Sequence, residues 1–225
     1  MRALIASGTG RYGDPWHPFA ATSAALARTL TASGVDVTVE HDVDRAMTLL
    51  DDVDVLVVNA GDPWRGEDAG AVPPQASLDG LRAALERGTG VLALHAAVAS
   101  LRDHPHWAAA VGAVWVPGAS WHPPAGEVRV RLLAEGPGAA LVRGLPDFTV
   151  HDERYLRLQR VSPVQVLADV EHDGERHPVV WVRRHGAARV AVDLLGHDTR
   201  SHEAPGHRAL LARLTRWCGG STAGP

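Results

Sequence analysis

The chain has 225 residues, 45% of them apolar, and a formal net charge of −4 at neutral pH. That apolar share can fill a sizeable core without disulfide staples, and the acidic balance excludes a nucleic-acid binder that works by neutralising phosphates. All 22 basic residues are arginine, no apolar run reaches membrane-spanning length, and the single cysteine, Cys218, has no internal partner, which suits a reducing cytoplasm.

The amino terminus, "MRALIASG", reads as a strand over 2–7 rather than a signal peptide, since its apolar run is short and no cleavage region follows. Phe19, Leu26 and Leu30 then stripe a helix that closes at Gly34. "VDVTVE" (35–40) is a second strand, "DRAMTLL" (44–50) a short helix and "DVLVVNAG" (54–61) a third strand. Leu78, Leu81 and Leu85 mark a helix ending at Gly88, and "GVLALHAA" from residue 90 is a fourth strand running into a corner at His95. This βαβαβαβ alternation predicts a parallel sheet with helices on both faces.

The second half is richer in strands: 127–133, 164–170, 177–184 and 188–196, the last two separated by the hairpin signal "HGA". Leu210, Leu211, Leu214 and Trp217 stripe a final helix. No linker divides the chain, so one domain is expected over 1–218, with a flexible tail over 219–225.

In open α/β sheets ligands bind beyond the carboxyl ends of the strands. The segments there are "SGTGRYGDPWH", "NAGDPW", "HAAVAS" and "GHDTRSH". Two of them carry the same echo, Gly-Asp-Pro-Trp at 13–16 and 61–64. Each copy offers a carboxylate (Asp14, Asp62) and an indole (Trp16, Trp64) suited to a polyol, although Asp-Pro also simply makes turns. Gly8, Gly10 and Gly13 match a dinucleotide-binding spacing, but "DPWHP" delays the helix whose start would meet a pyrophosphate. Thirteen histidines recur beside carboxylates, in "HDE" (151–153) and "LGHD" (195–198) for example. Imidazole titrates near pH ~6.5, so such a cluster can move protons or hold a metal. No strong metal-ligand spacing is visible: no redox cofactor is required, and a histidine-bound zinc is the alternative.

"LALHAAVASLRDHPHWAAAVGAVW…WHPP", "GLPDFTVHDERY", "PVVWVRRHGAARVAVDLLGHD" and "LLARLTRWC" together resemble the ThuA-like, or trehalose-utilisation, family over almost the whole chain. The resemblance implies a fold like that of class I glutamine amidotransferases: a three-layer αβα sandwich with a mostly parallel flavodoxin-like sheet and extra antiparallel strands in the second half. Those enzymes carry a nucleophilic cysteine at the corner filled here by His95. The resemblance therefore argues against glutamine hydrolysis, which needs that thiolate.

It also implies a pocket for a small carbohydrate. The expected catalytic residues are His95, His151, Glu153, His197 and Asp198, and the expected substrate-binding residues are His17, Trp16, Asn59, Asp62, Trp64 and His122. The expected function is a cytoplasmic enzyme acting on a disaccharide or keto-sugar by proton transfer, as an isomerase, epimerase or lyase. The alternatives are a zinc-dependent hydrolase and a non-catalytic sugar-binding or regulatory protein. No nucleic-acid or membrane partner is expected, and self-association is left open. If the site is real, His17, His95, His151 and His197 should converge.

Overall fold

The structure, a computed structural model, describes residues 1–65, 70–136 and 138–220. In chain order its strands are β1 (Arg2–Ser7), β2 (Asp36–Glu40), β3 (Val55–Asn59), β4 (Gly90–Leu94), β5 (Ala113–Val114), β6 (Gly126–Leu132), β7 (Phe148–Asp152), β8 (Gln159–Arg160), β9 (Gln165–His172), β10 (Glu175–His185) and β11 (Ala188–Asp193). The helices are α1 (Phe19–Ala32), α2 (Val43–Met47), α3 (Gln75–Arg87), α4 (Trp107–Val111), α5 (Ala139–Val142) and α6 (Pro205–Cys218). No helix among the described residues is long and apolar enough to cross a membrane. Of the expected tail, Gly219 and Gly220 are described; the remainder lies outside the described residues.

Nine strands form one sheet in the order β2-β1-β3-β4-β11-β10-β9-β6-β7. The first five pair in parallel and the last four join antiparallel. β3 and β4 are buried at every position, as aliphatic runs covered on both faces should be. β6 instead alternates, with Val128 and Val130 buried and Arg129 and Arg131 exposed, the pattern of a sheet with one wet face. β10 and β11 form the expected hairpin around Gly186, whose φ is +57°. α1 and α6 pack on each other and on the sheet, while α2 and α3 form a second layer.

The parallel register fixes where chemistry can occur. Ser7 lies opposite Asn59, and Leu94 opposite Asp193, so β1, β3, β4 and β11 all end along one rim. Just below it, Asn59 Nδ2 donates to Thr22 Oγ1 and Ser23 Oγ at 2.9 Å each, and Ser23 Oγ donates to Ser7 Oγ at 2.9 Å. This polar plug ties β1 and β3 to α1, and Asn59 spends its side chain there rather than in a ligand pocket.

A second buried tie joins β11 to α6. His207 and Asp193 are both fully buried and meet at 3.1 Å, while His207 Nδ1 faces the Ser201 carbonyl at 2.9 Å. Both ring nitrogens thus face acceptors, which favours the imidazolium. Burial alone would lower the His207 pKa, but Asp193 and the Ser201 carbonyl outweigh it and the net shift is upward. A base with a raised folded-state pKa stabilises the fold fully below its unfolded value of about 6.5 and loses that contribution as pH rises through the folded value. His207→Leu, which strands Asp193, is expected to cost about 3–5 kcal/mol at acid pH. In urea titrations from weakly acid to alkaline pH, the gap between wild type and variant should narrow as pH rises; a gap independent of pH would contradict this pairing.

Candidate active site

His95 occupies the corner where β4 ends and a single 3-10 turn (His95–Val98) begins. Its φ is +44°, a left-handed backbone that costs a residue with a side chain about 1–3 kcal/mol and persists only where surroundings enforce it. Nucleophile elbows are built on such a strand-to-helix turn, which thrusts one side chain above the sheet. His95 is 1% exposed. Its Nδ1 lies 2.7 Å from the Leu194 carbonyl, which can only accept, so Nδ1 carries the hydrogen, and in the neutral ring Nε2 keeps its lone pair.

His17 is prepared in the same way. Asp14 Oδ1 accepts from the backbone N–H groups of Trp16 and His17 at 2.9 Å each, and both carboxylate oxygens face His17 Nδ1 at 2.7–2.8 Å. The first pair of bonds is an Asx turn, and the other copy of the echo repeats it: Asp62 Oδ1 accepts from Trp64 N–H at 3.0 Å. Gly61 keeps the two turns close, since a Cβ there would stand 2.8 Å from Asp14 Oδ2.

Glu153 and His197 come from opposite parts of the sheet. β7 is the outermost strand, four places from β11, yet its last residue reaches the loop after β11. The buried Asp152 carboxylate accepts from the N–H groups of Gly196 at 2.7 Å, His197 at 3.2 Å and Glu153 at 2.8 Å. Glu153 Oε2 then sits 3.5 Å from His95 Nε2 and 3.4 Å from His197 Nδ1, and Oε1 sits 3.3 Å from His122 Nδ1. The rings of His17, His95 and His197 lie 5.0–5.5 Å apart, centre to centre. One ligand atom from each of His17, His95, Glu153 and His197 falls within 4.8 Å of every other; these four residues could hold a metal.

The site's electrostatics follow from burial set against charge. Burial would raise the Asp14 carboxyl, but the bonds from His17 hold it below its ordinary value. Glu153 behaves likewise: burial raises it, the facing imidazoles outweigh that, and the net shift is downward. Burial lowers His95, whereas Glu153, Asp152 and the Leu194 carbonyl raise it, for a net upward shift. His197 is pushed down, mainly by burial and by its neighbouring imidazoles. Tyr155, packed 4.2 Å from the His95 ring and 4.7 Å from Trp115, is raised well above 10 by burial and by Glu153. It therefore remains a protonated phenol.

A cavity of about 430 Å³ opens above this floor, lined among others by Asp14, Trp16, His17, Trp115, His122 and Glu153. Asp62, Arg65, Tyr155 and His197 complete much of its wall. At the mouth Trp16 is 57% exposed, with the Arg65 guanidinium 5.3 Å from its ring.

Of the residues singled out in the sequence, His17, Glu153, His197, Trp16, Asp62 and His122 line this cavity, and His95 lies directly beneath it. His17, His95 and His197 converge. His151 does not join them: in β7 it pairs with Glu127 of β6, and strand alternation turns it away from the side used by Asp152. Asp198 binds its own loop through Arg200, Asn59 belongs to the plug beneath the rim, and Trp64 stacks under Arg102, itself paired with Asp62 at 3.0 Å. Asp152, Tyr155 and Trp115 escaped the sequence reading. The available signal was the position of Asp152 and Tyr155 beside Glu153 in "HDERY".

Two other arrangements are inert. Ser77, His104 and Asp103 are linked in a serine–histidine–aspartate order at 2.9 Å per step, but Ser77 is fully buried and also bonds Asp44, so the set fastens α3 to α2 and to the segment between β4 and α4. Cys218 packs near Gly90, at the end of β4 away from His95, and burial pushes its thiol up to about 12.

The family model described as trehalose utilisation, ThuA, matches residues 2–218. The chain belongs to the ThuA family. Among curated proteins none matches it in sequence. Solved structures share the fold of this ThuA-family chain. A ThuA-like protein from Parabacteroides merdae is 18% identical with a TM-score of 0.78, covering 100% of this chain and 91% of that one. Another from Bacteroides uniformis is 18% identical with a TM-score of 0.68, covering 96% and 90%. A cytoplasmic protein of Salmonella typhimurium is 11% identical with a TM-score of 0.62, covering 96% and 98%. ThuA membership points to a carbohydrate-related role, and the flavodoxin-like sheet is the expected one.

The Asp152 bridge gives a local test. Hydrogen bonds to a charged acceptor are worth about 1.5–3 kcal/mol, so Asp152→Ala should speed amide exchange at Gly196 and His197 by about ten- to a hundred-fold while leaving β1 and β3 unaffected. Unchanged exchange at those two amides would show that the loop is held by something else.

Proposed function

We propose that this ThuA-family protein is an enzyme that moves a proton on the carbon beside a carbonyl in a small carbohydrate, a disaccharide or its keto derivative. The observation that carries the reading is the convergence of His17, His95, His197 and Glu153 beneath a cavity of about 430 Å³. That volume lies in the range of small-molecule sites, and Trp16 and Trp115 on its wall offer flat apolar faces for a sugar ring.

His122 is the best-suited base. Its Nδ1 faces two acceptors, the Pro123 carbonyl at 3.1 Å and Glu153 Oε1 at 3.3 Å. Nδ1 therefore carries the hydrogen, and Nε2 offers a lone pair from the cavity wall. The base takes the proton from carbon, the electron pair moves onto the carbonyl oxygen, and the resulting enediolate is stabilised by donors. Tyr155 is such a donor, kept protonated by its surroundings. His95 lies below the floor, which suits fixing the positions of Glu153 and His197 rather than touching substrate. Return of the proton to the other face of the same carbon gives an epimer; its return to the former carbonyl carbon, with the hydroxyl proton of the first carbon passing to the old carbonyl oxygen, gives an isomer, and neither changes the oxidation state overall. A cytoplasmic location accords with the lone buried thiol, Cys218.

The test is solvent exchange. Incubated with 3-keto-disaccharides in deuterated buffer, the protein should place deuterium on the ring carbon beside the keto group, and His122→Ala should slow this about 10²–10⁴-fold. Tight sugar binding without exchange would instead favour a non-catalytic binder.

A further inference from the structure

We infer that His17, His95, His197 and Glu153 bind one first-row divalent transition-metal ion of the zinc, cobalt or manganese kind. The first ground is orientation. His17 gives its Nδ1 hydrogen to Asp14, and His95 gives its own to the Leu194 carbonyl, so in the neutral rings each Nε2 keeps a lone pair, that of His17 facing only the Tyr155 hydroxyl, at 3.4 Å. The His95 lone pair is directed toward the anionic Glu153 Oε2 at 3.5 Å. In the neutral ring two electron-rich atoms face each other there, and a cation between them, a proton or a metal ion, resolves the repulsion.

The second ground is that buried polar atoms are normally paired. His95 Nε2 and His197 Nδ1 are buried without a hydrogen-bond partner, and both approach the same carboxylate oxygen.

Spacing agrees. Ligand atoms about 2.1 Å from a tetrahedral ion stand about 3.4 Å apart, matching the contacts of 3.5 and 3.4 Å. The outer limit of 4.8 Å is nearer the ~4.2 Å between opposite ligands of a six-coordinate ion. The supporting groups are also those of metal sites, where ligating histidines donate their other N–H to a carboxylate or a backbone carbonyl. Glu153 turns Oε1 to His122 and keeps Oε2 for the ion. Three nitrogens and one oxygen disfavour magnesium and calcium, which prefer all-oxygen shells.

An ion here would act as a Lewis acid toward a substrate oxygen. That use rests on the proton-transfer reading above, whereas binding itself does not.

The experiment uses the untagged full chain, stripped with a chelator, dialysed and titrated with Co²⁺. One ion per chain should bind, give a visible absorption band and be displaced by Zn²⁺ but not by Mg²⁺ or Ca²⁺. Asp14→Asn, which disturbs only the support of His17, should weaken binding about 10–100-fold. His95→Gln and the near-isosteric Glu153→Gln, each checked for native circular dichroism, should weaken it by about a hundred-fold or more. Uptake below about one ion per ten chains, or uptake unchanged in the folded variants, overturns the inference. Cobalt binding without deuterium exchange would sink the proton-transfer reading and leave the metal centre. Exchange in metal-free protein that takes up no cobalt would do the reverse.

Discussion

The site depends on where two hydrogens are held. Asp14 and the Leu194 carbonyl take the Nδ1–H groups of His17 and His95, which leaves the His95 Nε2 lone pair facing Glu153 and the His17 Nε2 lone pair facing the Tyr155 hydroxyl, within one cluster. Without those acceptors each ring could flip or change tautomer and present a donor to the carboxylate. An inward donor would make an ordinary buried salt bridge. Inward lone pairs make a cluster that is complete only when positive charge is added to it, and the upward shift of His95 is the same demand met by a proton.

The scaffold supplies this arrangement at a cost in strain. The elbow at His95 has the positive φ of a nucleophile elbow, but the side chain thrust upward is an imidazole with no thiol near it, and Cys218 is buried near the other end of β4. Asp152 then closes the sheet on itself. By binding the N–H groups of Gly196 and His197 it brings the outermost antiparallel strand against the loop after β11. The parallel half contributes His17 and His95, the antiparallel half Glu153, and the Asp152 bridge sets their separation.

Much of this was legible in the sequence, for local reasons. The β1–β4 alternation, the Gly88 helix stop and the β10–β11 hairpin each follow from residue periodicity or a single glycine. The rule that ligands gather at the carboxyl ends of parallel strands puts His17, His95 and His197 on one rim from the sequence alone. What failed required register. In "HDE" the sequence offers His151, Asp152 and Glu153 without showing which faces inward; no periodic signal marks β7 as a strand, so its two-residue period cannot be applied, and His151 is expected in a cluster that it does not join. Asn59 and Asp198 carry plausible polar side chains, but whether these face a ligand or their own backbone depends on neighbours such as Ser23 and Arg200. Tyr155 gave no periodic signal, since its importance lies in the buried contact with His95.

The most direct measurement is the position of the ring hydrogens, read by long-range proton–nitrogen NMR on protein saturated with zinc and labelled with ¹⁵N at histidine. The account requires His17 and His95 to carry hydrogen on Nδ1 and none on Nε2. A hydrogen on Nε2 of either ring would contradict it, because that ring would then have no lone pair to give.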